Sequence, residues 1–252
     1  MNTNIPEEII PEPLRWLNFL PRVTLLNALG AIILSIVFLG GIGQQISDEA
    51  MGPEYVELLQ AIREPVMFRA AWVIDAVIWI MIGVILLSIS GILRYQAPLK
   101  ARFISVCGIM QAFGALGRFM RLDGISDIAT RYMIASSDQQ AGLLDSYLEL
   151  WRVINSSNHL AVLFQGIGFL LVAWGFYLLR GFPRWLATWF GLPGLLAIAQ
   201  FGIYITGAAY LFLINVLGLI AGSIALNIAI SITLWRPAEE LISSLSIRNV
   251  EK

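Results

Sequence analysis

Ala70 to Leu93 reads AAWVIDAVIWIMIGVILLSISGIL, a run with one ionisable side chain, Asp75. Rising 1.5 Å per residue, a helix of this length reaches roughly 36 Å, enough to cross a hydrocarbon core of about 30 Å. A carboxylate at membrane depth costs about 2.5–3.5 kcal/mol on insertion scales. Asp75 is therefore expected to face protein or water rather than acyl chains, and the neighbouring helices must supply that environment.

Composition extends the argument to the whole chain. Of 252 residues, 58% are hydrophobic and 13% charged, about half the charged share of a soluble domain. The expected class is all-α: a polytopic membrane protein of six transmembrane helices, with amphipathic helices in its two long outward loops. A net charge of -1 gives no case for nucleic acid. The lone cysteine, Cys107, rules out an intrachain disulfide framework or a thiolate metal cluster. The lone histidine, His159, rules out a bis-histidine haem, an HExxH zinc site and a three-histidine zinc site within one chain. There is no GxSxG and no P-loop. Asp123-Gly124 with Asp127 and Arg131 falls short of the acidic motif of headgroup transferases, lacking the closer basic residue and two further spaced aspartates. No cofactor and no metal are expected, and the chain leans away from being an enzyme.

Six spans are expected at about 23–42, 70–93, 103–120, 159–179, 185–205 and 210–235. Residues 1–22 precede them, with Ile5 to Arg22 read as an irregular surface segment, and 236–252 form a polar tail. The stretch from Trp185 to Trp235 carries no charge and is too long for one span, so a turn is expected near Thr206 to Ala209. In the first long loop, Pro53 to Ile62 reads as a short surface helix with Tyr55, Leu58, Leu59 and Ile62 on one face. In the second, Leu122 to Asn158, an amphipathic helix is expected over Leu143 to Ile154. Ten of the sixteen basic residues fall on the side shared by the two termini, which places both in the cytoplasm.

That topology gathers polar residues of several spans in the outer half. Asp75, Gln111, Arg118, His159, Gln165 and Gln200 are the candidate ligand-binding residues, with Asn155, Asn158 and Asn215 nearby. Gly108, Gln111, Gly114, Ala115, Arg118 and Arg121 share one face of the third span, a stripe that lets helix backbones approach closely. Arg121 and Arg69 are read as snorkelling to headgroups. Two readings stay open. In one, an outward-opening pocket around Asp75 takes a small or amphipathic ligand. In the other, Asp75 and Arg118 are a buried pair that fixes helix register, in a structural or accessory subunit. The expected partners are the lipid bilayer, such a ligand, and a membrane-protein partner or second copy.

Gly175-Phe-Tyr-Leu-Leu-Arg-Gly-Phe-Pro-Arg-Trp-Leu186 resembles the G-x-L-x-Y-R-S-x-x-x-P-R-x-L turn of an uncharacterised group of bacterial multipass proteins, catalogued as a domain of unknown function. Leu93-Arg94-Tyr95 and Lys100-Ala-Arg102-Phe resemble that group's second helical hairpin. The resemblance implies a bacterial inner-membrane protein of six or more helices, and no activity.

Overall fold

The computed structural model describes residues 12–45, 55–94, 97–178, 184–207 and 209–234, and these contain helices and no strand. The helices are α1 (Glu12–Gln45), α2 (Val56–Arg63), α3 (Pro65–Leu93), α4 (Pro98–Ile134), α5 (Ser137–Leu178), α6 (Arg184–Thr206) and α7 (Ala209–Leu234). Five of them are long and apolar enough to cross a membrane, and Leu217–Thr233 within α7 is a shorter apolar stretch. The chain is thus an all-α protein of the polytopic membrane type.

Six long helices form a closed antiparallel ring in the order α1, α3, α4, α5, α6, α7, with α7 returning to α1. Thr24 of α1 and Ser231 of α7 close it, with hydroxyls 2.9 Å apart and both also reaching the Pro21 carbonyl. Ser90 ties α3 to α4 near the same end, through Ser105 Oγ and the Ala101 carbonyl. Between these ties lies the main apolar core, with Leu86, Ile89, Leu93, Ile104, Val172 and Phe190 essentially fully buried. The outward faces are apolar as well: Phe103, Val106, Phe113, Leu116 and Met120 of α4 are more than half exposed, as lipid-facing positions should be.

Small residues set the helix spacing. A Cβ on Gly83 would stand 2.7 Å from the Gly108 carbonyl oxygen, and one on Gly108 would stand 2.9 Å from that of Gly83, so α3 and α4 meet backbone to backbone. Gly166 and Gly194 repeat the arrangement between α5 and α6, at 2.9 and 3.2 Å. At the α6–α7 corner Gly207 takes φ +68, in the left-handed region where glycine is favoured; the turn therefore lies where the uncharged stretch needed one.

Three local expectations are corrected. The chain is helical from Glu12, so Glu12 to Arg22 belongs to α1 rather than to an irregular surface segment; residues 1–11 lie outside the described ones. Leu20, Val23 and Thr24 are buried, and docking on α7 and α3 holds this stretch helical despite Pro21. The connection Leu122 to Asn158 is not a loop bearing a separate helix. Apart from Ala135 and Ser136 it is the continuation of α4 and α5 beyond the apolar zone. The apolar face of the extension is in phase with the span below, since Tyr147, Ile154 and Ala161 are buried at successive seven-residue steps, so nothing breaks the helix. Finally, α2 starts at Val56, and prolines begin α3 and α4 instead, at Pro65 and Pro98; Pro53 lies outside the described residues.

The glycine contacts predict a contrast. Gly83→Ala forces α3 from α4 and is expected to cost about 1–3 kcal/mol, the range for overpacked interiors. Gly142→Ala, with open space around the added methyl, is expected to be neutral or to stabilise by up to about 1 kcal/mol. Thermal melting of both variants in the same detergent checks this.

Candidate functional site

The polar side chains lie in two tiers. The first sits where α3, α4 and α5 leave the apolar zone, under α2. Trp79 reaches α4 because Gly114 has no side chain: a Cβ there would stand 2.7 Å from the indole and 2.8 Å from Ala161. The Arg118 guanidinium lies 3.4 Å from the Trp79 ring centroid. Its Nε donates to Asp75 Oδ2 at 2.9 Å, and its Nη1 donates to Asn158 Oδ1. The Arg118 side chain is 7% exposed and that of Asp75 15%. The carboxylate thus faces protein, and the guanidinium that meets it is held by α3 and α5 together.

One turn further along α4, Arg121 repeats the pattern less completely. Its Nη2 donates to Asn155 Oδ1 at 2.6 Å, and its guanidinium lies 4.6 Å from the Trp72 ring. Its Nε is 3.3 Å from Glu57 Oε2, yet neither atom has a hydrogen-bond partner. The pair is close enough for Coulombic attraction and too poorly aligned for a hydrogen bond. Arg121 is therefore no snorkelling residue; it is 5% exposed, because the helical extension of α4 and α5 and the docking of α2 cover it. α2 docks through Leu58 and Ala61 onto Phe68, Trp72, Ile125, Ile128 and Tyr147, and this seats Glu57 over Arg121.

The second tier lies about 10 Å deeper, by the rise from Arg118 to Gln111, and consists of carboxamides. Gln111 is fully buried, and neither of its amide atoms has a hydrogen-bond partner. The contacts Gly114–Ala161 and Cys107–Gly168 bracket it and place Gln165 of α5 at its level. Gln200 accepts from Asn215 Nδ2 at 2.7 Å, which joins α6 to α7. Asn27 of α1 is 1% exposed with an unpartnered Oδ1.

Of the six residues singled out from the sequence, the fold thus brings Asp75 and Arg118 into direct contact, sets Gln111 and Gln165 level with each other, and ties Gln200 away to α7. His159 turns to α6, edge-on against Tyr204 with ring centroids 3.8 Å apart, while Tyr204 also meets Ser156. The sequence reading missed Glu57 and Asn27. Glu57 lies in a loop helix whose docking depends on tertiary packing. Asn27 is one uncharged polar residue in an apolar span, and only its one-sided burial distinguishes it. Among the described residues no group of three His, Cys, Asp or Glu side chains is placed to hold a metal ion.

Buried ion pairs, carboxamides between helices and an apolar exterior define the class: a multipass helical membrane protein with a buried polar centre, paired in part. Residues 28–236 match the model of the family described as domain of unknown function DUF4386, and the chain belongs to that family. No curated protein and no solved structure matches the chain.

Burial pushes the Glu57 carboxyl above the ordinary carboxylate value; Arg121 and Arg118 pull it back and Asp75 adds to the rise. Tyr147 and Tyr55 are the other titratable groups alongside, packed ring to ring. A carboxyl harder to ionise when α2 is docked favours docking on the acid side, and docking weakens as pH rises from 4.5 through the raised value. A cysteine placed under α2 by Ala61→Cys, in a Cys107→Ala background, is thus expected to label more slowly at pH 5 than at pH 8. Ser136→Cys, at an exposed position, corrects for thiolate reactivity. Glu57→Gln should flatten the difference.

Proposed function

We propose that the protein is a non-catalytic structural or accessory component of a bacterial inner membrane, whose buried polar groups fix its own helix register. The observation that carries this reading is the closed Asp75–Arg118 contact, both side chains largely withdrawn from solvent and Arg118 further held by Asn158 and Trp79. A guanidinium with those partners has little left to offer a ligand. Both termini lie in the cytoplasm in this reading, supported by the excess of Lys and Arg in the segments at that end of the bundle. The exposed apolar faces meet lipid and a membrane-protein partner or a second copy.

A second reading has its own support. The unpartnered Gln111 amide, with Gln165 at its level, leaves donors and an acceptor unused at mid-depth, as in a site for a small or amphipathic polar ligand.

Mutations at the pair separate the two. Removing one partner of a buried pair costs about 3–5 kcal/mol, while replacing both by apolar residues is often neutral. Arg118→Met alone is expected to lower thermal stability and membrane accumulation, and Asp75→Leu added to it to restore most of both. The structural reading is lost if Asp75→Asn leaves the melting curve unchanged while abolishing capture of a ligand that the wild-type protein carries through purification.

A further inference from the structure

The polar end contains one pairing that is left unfinished. Arg118 has a well-aligned carboxylate, an amide oxygen and an indole face. Arg121, three residues away on the same helix face, has an amide oxygen and an indole, but the carboxylate opposite it is misaligned. Its Nε lies 3.3 Å from Glu57 Oε2, and both atoms are buried without a hydrogen bond. A buried guanidinium donor without an acceptor is costly, and it is directional, so it defines where an acceptor oxygen should sit. Glu57 differs from Asp75 in a second respect. Asp75 projects from a long helix inside the ring, whereas Glu57 projects from the eight-residue α2 and its side chain is 22% exposed. Its exposed edge gives it a path outward to water, and an acceptor that replaces it at Arg121 offsets the loss of the pair.

We propose that Arg121 is an anion-binding site for the carboxylate of an amphipathic ligand, and that Glu57 occupies it in the resting protein as an internal stand-in. The occupant's class follows from the surroundings. Glu57 already presents a carboxylate from that side, and Arg121 offers Nε to an oxygen in planar geometry. The Asn155 amide and the Trp72 face fix the guanidinium plane. The flank of α4 beside the buried face that carries Arg121 is apolar: Met120 is 55% exposed, and Leu116 and Phe113 continue that exposed flank toward mid-depth. A headgroup at Arg121 thus leaves its alkyl chain along a lipid-facing flank, in hydrocarbon. A short hydrophilic carboxylate gains none of this.

Binding of radiolabelled dodecanoate to the full chain in phosphatidylcholine nanodiscs tests the proposal. Specific binding is defined as the part lost in Arg121→Gln. Glu57→Gln, which keeps the side-chain shape and removes the competing charge, is expected to bind at least tenfold more tightly than wild type. Arg121→Gln in the Glu57→Gln background is expected to abolish the gain. Acetate and inorganic phosphate should fail to compete at concentrations where unlabelled dodecanoate does. Glu57→Asp, one methylene shorter, serves if Glu57→Gln does not accumulate, and should shift affinity in the same direction. Equal binding by wild type and the Glu57 variants overturns the stand-in role. Competition by acetate as effective as by dodecanoate overturns the amphipathic assignment. Stronger competition from phosphatidylglycerol in the nanodisc than from dodecanoate overturns the carboxylate in favour of a lipid phosphate.

Discussion

Asp75 cannot face hydrocarbon, and much of the bundle can be understood as the arrangement that spares it from doing so. Its partner Arg118 comes from the next helix, and Arg118 is placed by an indole that reaches α4 only because Gly114 leaves room. Asn158 of the third helix then fixes the other side of the guanidinium. One carboxylate thereby dictates the relative register of α3, α4 and α5. The interaction is not a large net source of stability, since polar contacts between membrane helices average about 0.6 kcal/mol in double-mutant cycles. Its leverage lies in the penalty for every alternative packing that leaves either charge alone.

Such specificity has to coexist with close packing, and the two are divided along the bundle axis. Toward the end where α1 begins, the ring is filled by Leu, Ile and Phe and joined by hydroxyl contacts at Thr24, Ser231, Ser90 and Ser105. Toward the α2 end, apolar packing gives way first to carboxamides and then to ion pairs. Gly83–Gly108 and Gly166–Gly194 lie near the transition and hold the helices at the same short spacing on both sides of it. The polar tiers therefore sit in a frame whose dimensions are set by glycine.

Much of this was legible in the sequence, for definite reasons. Apolar runs of membrane length announce the all-helical class, and the stripe Gly108, Gln111, Gly114, Ala115 and Arg118 is the buried face of α4. Asp75 and Arg118 were readable as partners because a lone acid and a lone base in adjacent spans have few other choices. What sequence could not give was the state of groups decided by tertiary packing. The charged residues between 122 and 158 suggest a loop, yet their spacing keeps the helical phase of the spans below, and phase prevailed over polarity. Arg121 has the flexible stem of a headgroup anchor, but α2 and the extended hairpin enclose it. His159, the only imidazole, is turned aside by an aromatic contact with Tyr204 that no local pattern signals.

The ring has a consequence for biosynthesis. Its last seam joins α7 to α1, the final helix made to the first, through Thr24, Ser231 and the Pro21 carbonyl. Until α7 has been made, the edge of α1 that carries Thr24 lacks its Ser231 partner. During elongation the Thr24 hydroxyl has the Leu20 and Pro21 carbonyls of α1 itself, and the seam is completed last. A chain cut short before α7 would keep that edge open and present quality-control proteases with an unfinished barrel of helices.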